Sequence, residues 1–126
     1  MRRSDILAGM KSNARRILAG SIVMEEIPRH GLNRKTGSAA MHMSPGSLDR
    51  IRDGETNVRS PRLRSAEKVL DLPRFLLDYI IEGDVGAIEA ISDALLDADL
   101  RRVILDKLAR IDAEEVENDE GNHQAR

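Results

Sequence analysis

A chain of 126 residues with 40% hydrophobic side chains is long enough for one compact domain, or for a small domain with an added oligomerisation element. It has no Cys, and its aromatics are Phe75 and Tyr79 alone, which excludes a disulfide scaffold, thiolate chemistry and Cys-ligated zinc and favours aliphatic helices over a β-sandwich. The net charge of −2 conceals an asymmetry: residues 1–70 hold 14 Lys/Arg against 7 Asp/Glu, whereas residues 71–126 hold 6 against 15, so a basic half with a nucleic-acid surface joined to an acidic half is expected.

Apolar residues at three- and four-residue spacing (Ile6, Leu7, Met10, Ala14, Ile17, Leu18, Ile22, Val23) predict a helix over 4–27, weakened at Gly9 and Gly20 and ended by Pro28 and Gly31. A break is expected near residues 9–12. Asn33 caps a short helix over 34–42. Ser44-Pro45 is a helix start by chemistry: the Ser oxygen accepts from free N–H groups, and Pro fits the first turn because its missing N–H is not needed there. That helix runs to Asp53 and stops at Gly54, with Leu48 and Ile51 facing the core and Pro45, Gly46, Asp49 and Arg50 facing outward. After a polar loop over 54–59, Ser60-Pro61 repeats the start signal for a helix to Leu70 that buries Leu63, Ala66, Val69 and Leu70. Asp71-Leu72-Pro73 opens another, with Phe75, Leu76, Tyr79 and Ile80 on one face and Gly83 at its end.

Beyond Asp84, Ile88, Ile91, Leu95 and Leu96 mark one amphipathic helix, and Leu100, Val103, Ile104, Leu108 and Ile111 a second. Asp97 and Asp99 cap the corner between them. Residues 113–126 are acidic with little apolar content, the composition of a disordered tail. No uninterrupted apolar stretch of about 18 residues is present, so a soluble cytoplasmic protein without membrane contact is expected.

The stretch Met43-Ser-Pro-Gly-Ser-Leu-Asp-Arg-Ile-Arg-Asp-Gly54, followed by Ser60-Pro-Arg-Leu-Arg-Ser-Ala-Glu-Lys-Val-Leu-Asp-Leu-Pro73, resembles the helix-turn-helix domain of the lambdoid phage repressor and Cro superfamily. The likeness spans about residues 13–83. It implies an all-α fold: a five-helix lambda-repressor-like helix-turn-helix domain over 1–84, then a C-terminal helical hairpin over 85–112. It also implies a dimeric transcriptional repressor of double-stranded DNA that lays helix 44–53 in the major groove.

Carried over position by position, the resemblance places Ser44, Pro45, Gly46 and Arg50 at base-facing positions, with Ser47 and Asp49 beside them. Arg50 is the strongest reader, because its fork can donate two bonds to guanine, worth about 1–3 kcal/mol of discrimination. Arg34, with Lys35 next to it, matches a phosphate contact, Arg62 a position near the minor groove, and Arg59 and Arg64 further phosphate contacts. Because one head buries little surface, Ile88, Ile91, Leu95, Leu100, Val103, Ile104, Leu108 and Ile111 are expected to form a homodimer interface. The alternative is that these residues fold back as monomer core.

Two departures from the superfamily pattern stand out. Gly37 falls where a Leu is usually buried, which leaves that contact to Ala39, Ala40 or Met41. Arg52 replaces a common Glu, with Glu25 or Glu26 as its expected partner. His30, His42 and His123 are scattered, and no zinc-protease, phosphate-loop or nucleophile-elbow motif occurs, so neither an enzyme nor a metal or other cofactor is expected. The competing functional readings are an antitoxin or adaptor whose acidic half binds a protein, and a nucleoid-associated architectural protein.

Overall fold

In a computed structural model, the backbone is described for residues 3–56 and 58–124, and side chains for 13–56 and 58–114. The described residues are all-helical, in the order α1 Arg3–Arg29, α2 Arg34–Ala40, α3 Pro45–Arg52, α4 Ser60–Val69, α5 Leu76–Glu82, α6 Val85–Ala90 and α7 Ala98–Gln124. No helix among them is long and apolar enough to cross a membrane.

The longest helices, α1 and α7, pack on each other, and α1 also carries α3 and α5. Leu18, Ala19, Ile22, Val23 and Ile27 of α1 are buried against Leu48 and Ile51 of α3, Leu76, Leu77 and Ile80 of α5, and Ile104 and Leu108 of α7 within one core. The expected break near residues 9–12 is absent and α1 runs unbroken, through Pro28 to Arg29. The apolar positions Ile6, Leu7 and Met10 lie outside the described side chains.

Gly20 weakens α1 as an isolated helix, yet it lets α3 approach. A Cβ there would fall well under 3.0 Å from the Ile51 carbonyl oxygen and 2.9 Å from the Arg52 Cα. Gly54, at φ +72° just beyond α3, meets α1 from the other side: a Cβ on it would lie 2.8 Å from Ile17 Cγ1 and 2.9 Å from the Ile17 nitrogen. The backbones of α1 and α3 therefore touch through two residues without side chains.

One closure recurs at the ends of α1, α2, α3, α4 and α5. A residue with positive φ follows the helix (Gly31, His42, Gly54, Asp71 or Gly83), and the next N–H reaches back to a carbonyl in the last turn. Asp71 thus ends α4, with Leu72 N–H donating to the Glu67 carbonyl at 2.8 Å, and does not open the next helix as expected. That helix starts later, at Leu76, behind Phe75 at φ +71°. Ser60 sits inside the first turn of α4, where it was expected to cap; Arg59 takes the cap position without a side-chain bond.

The C-terminal half departs further from expectation. The helix expected across Ile88–Leu96 stops at Ala90, where Ile91 turns extended. Arg101 of α7 pins the following loop by donating to the Ile91 carbonyl and pairing with Asp93 at 2.9 Å. Ile88, Ile104 and Leu108, expected at a dimer interface, are buried in the monomer because α6 and α7 pack onto the body. Ile91, Leu100 and Ile111 pack partly against the same core, and only Leu95 and Val103 of that set stand exposed. Helix α7 continues to Gln124, through most of the stretch expected to be a disordered tail; Ala125 and Arg126 lie outside the described residues. Helix-forming Ala113, Glu114 and Glu115 prolong α7 past its last core contacts.

If the two-glycine crossing sets the fold, Gly20→Ala lowers unfolding free energy by about 1–3 kcal/mol or more through overpacking against backbone. By contrast Gly37→Ala, whose Cβ would meet only Ile27 side-chain atoms at 3.5–3.7 Å, is neutral or gains up to about 1 kcal/mol from helix propensity. Urea unfolding of both variants checks the contrast.

Candidate nucleic-acid interface

The short pair α2 and α3 is built by local chemistry. Asn33 and Thr36 form a reciprocal cap at the start of α2: each backbone N–H donates to the other's side-chain oxygen at 2.9 Å. At its end, His42 takes a left-handed conformation (φ 57°), and Met43 N–H returns to the Ser38 carbonyl at 3.0 Å. Ser44 then caps α3, accepting from Ser47 N–H at 3.1 Å, with Pro45 in the first turn. The inner side of the pair is Met41, Leu48 and Ile51, all buried. Of the three side chains expected to replace the missing Leu, Met41 is buried and Ala39 and Ala40 are exposed, while the atoms nearest Gly37 belong to Ile27.

The residues singled out for DNA contact separate into three groups. Ser44 and Ser47 place their hydroxyl oxygens 3.0 Å apart within the cap, Ser47 buried and Ser44 exposed. Pro45 is half-buried and Gly46 exposed, which gives α3 a blunt start without side-chain donors.

The second group is an ion network on the outer side. Arg34, the first residue of α2, grips Asp49 of α3 through Nε and Nη2, at 2.9 and 2.7 Å from the two carboxylate oxygens. Arg52 adds a 3.5 Å contact to Asp49 and a 2.9 Å bond to Asp53. Hydrogen bonding by Arg34 holds the Asp49 carboxyl below the ordinary aspartate range against an opposing effect of burial, and the same bond raises Arg34. For a depressed carboxyl, the pairing is complete above the ordinary aspartate value and is lost only as pH falls through the lowered one. The expected pairing of Arg52 with Glu25 or Glu26 does not occur: Glu26 bonds to Arg29 at 3.1 Å and lies near His30. The backbone of Arg52 packs on Gly20, while its guanidinium bonds to Asp53 at the end of its own helix.

Third are the remaining cations. Arg50 is 54% exposed, with Glu55 at a loose 3.6 Å. Lys35 and Arg59 are exposed and Arg62 half-buried, and none of the three forms an ion pair among the described residues. Arg64, matched to a phosphate contact, is engaged within the protein. It is 18% exposed, bonded to Glu67 at 2.6 and 3.1 Å and to Asp78, and stacked 4.4 Å from the Phe75 ring centroid. Burial opposes its charge, but the bonds it donates to Asp78 and Glu67 outweigh this and raise its pKa.

Glu67 is the residue the sequence reading missed altogether. At 2% exposure its carboxylate accepts from Phe75 N–H at 3.0 Å and Leu77 N–H at 2.9 Å as well as from Arg64. It serves as the N-cap of α5 from a different helix. The one sequence signal was an ionisable residue beside Ala66 on the buried face of α4.

Comparison with known protein families, with curated proteins and with solved structures finds no match to this chain.

Double-mutant cycles separate the real pairs from the expected one. Glu26 with Arg52 gives no coupling beyond about 0.3 kcal/mol, whereas Glu67 with Arg64 gives on the order of 1–3 kcal/mol in thermal or urea unfolding.

Proposed function

We propose that the chain is a sequence-specific regulator of double-stranded DNA, most simply a repressor, whose helix-turn-helix is α2 and α3. In this reading α3 enters the major groove, as the resemblance to the lambda-repressor-like superfamily implies. The observation that carries it is the division of α3 into two sides. Leu48 and Ile51 are buried beneath it, whereas Arg50 projects from its outer side with only a loose partner.

Base reading then rests on Arg50, because Pro45 and Gly46 have no side-chain donors and Ser44 and Ser47 are spent on the cap. The blunt start permits close approach of backbone to a thymine methyl or a phosphate. Lys35, Arg59 and Arg62 supply the sequence-independent attraction to phosphates, which fixes register without reading sequence. Two copies on half-sites about one helical turn apart provide the affinity that one short helix lacks. From the expected dimer stripe, Leu95 and Val103 remain for that contact. The role is regulatory binding at the nucleoid, without catalysis or a bound cofactor.

A second reading, a module that docks a protein, is favoured by one feature. Leu95 is 65% exposed beside a groove of about 750 Å³ lined by Leu72, Pro73, Tyr79 and Ile91.

Selection of bound duplexes from a random pool at fixed salt distinguishes the two. The DNA reading predicts an enriched motif with two-fold symmetry, and Arg50→Ala flattens preference at one base pair per half-site by about 1–3 kcal/mol. A pool that shows no enrichment favours the protein partner, and a preference unchanged by Arg50→Ala removes α3 as the reading helix.

A further inference from the structure

We infer that Asp49 is a built-in attenuator of phosphate binding, holding Arg34 out of contact with the DNA backbone so that base reading by Arg50 decides where the protein binds. The inference rests on the DNA reading proposed above and assigns to that site a residue that tunes its specificity.

The geometry is that of a phosphate contact already filled. A guanidinium binds a phosphate as it binds a carboxylate, through two parallel N–H donors. In Arg34 those donors, Nε and Nη2, both point at Asp49, one to each carboxylate oxygen. Arg34 reaches from the start of α2 to the outer side of α3, the surface the DNA reading sets against the duplex, and its side chain is 54% exposed, so its engagement follows from its partner and not from burial. Arg52 is held chiefly by Asp53, through Nε at 2.9 Å and Nη2 at 3.3 Å, with one 3.5 Å contact to Asp49. Two cations and two anions thus sum to zero on the outer side of the helix pair, inside the half of the chain that carries the basic excess.

The consequence is a shift in the balance between two kinds of binding. Each cation that neutralises a phosphate strengthens binding to every sequence alike and adds about 0.9 to the slope of log K against log salt. Withholding Arg34 lowers affinity for non-specific duplex, while a base contact keeps its full discrimination. The carboxylate of Asp49 also repels any phosphate brought close by a misplaced register.

Fluorescence anisotropy with a labelled random-sequence duplex, titrated across a range of salt, tests this in the full chain. Asp49→Asn is expected to bind non-specific duplex more tightly and to steepen the slope by roughly 0.9, the increment for the released Arg34. Arg34→Gln in the otherwise native chain leaves the slope nearly unchanged, but in the Asp49→Asn background removes about 0.9 of it. If folded Asp49→Asn, judged by circular dichroism, keeps the native slope or binds more weakly, the attenuator is overturned. Should Asp49→Asn not fold, Arg34→Gln alone decides: a slope reduced by about 0.9 means that Arg34 already holds a phosphate and contradicts the inference. A native chain that binds no duplex at any salt defeats the DNA reading itself, a result distinct from these.

Discussion

The meeting of α1 and α3 at Gly20 and Gly54 is the contact on which the remaining structure depends. Ordinary helix pairs stand 8–10 Å apart because side chains fill the space between them. Here each backbone presents a glycine to the other, and Ile51 and Ile17 pack directly against the vacated surface. The depth of that contact fixes how far Leu48 and Ile51 enter the core, and so which side of α3 is left outside. Because α1 also carries α5 and α7, its position is held from several directions. Arg15 ties it to the end of α5 by donating from Nε to the Ile81 carbonyl at 2.7 Å.

Charge is organised at two depths. Near the surface, the Arg34–Asp49–Arg52–Asp53 network joins α2 to α3 with side chains that remain reachable by solvent, and such pairs add little stability. Deeper, Glu67 and Arg64 join α4 to α5 where solvent hardly reaches the carboxylate. There each partner removes the cost of burying the other, and backbone N–H groups of Phe75 and Leu77 complete the shell. The deep network is architectural, whereas the shallow one lies where a ligand can compete for it. A basic half of the sequence therefore displays fewer free cations than its composition implies.

Much of the fold was legible because its signals are local. Ser44-Pro45 announced α3, and Gly31, Gly54 and Gly83 announced helix ends, since glycine meets the left-handed conformation at no steric cost. The same closure at His42 and Asp71 was hidden, because a side chain there adopts positive φ only when the surrounding structure holds it. Ser60-Pro61 copies the spelling of Ser44-Pro45 but shifts by one position, leaving Arg59 to cap α4. Non-local features were beyond reach: Glu67 capping a helix that begins nine residues on, and Gly20 acting as a contact where propensity marks only a weakness. The stripe over Ile88–Ile111 is apolar by its spacing, but periodicity does not say whether such a face meets its own chain or another copy, and Ile88, Ile104 and Leu108 meet their own. On the candidate site, the identity of Arg34 and Asp49 as notable residues was legible, whereas their pairing across the turn was not.

The central claim is that the outer side of α3 is the surface that meets DNA. Backbone amide resonances followed during titration with a short duplex bearing the selected sequence test it most directly. The account predicts the largest shifts at residues 44–52, with a second group near Arg59 and Arg62 and little change over α6 and α7. Shifts gathered instead around Leu95 and the α5–α6 groove, with α3 unmoved, would contradict it.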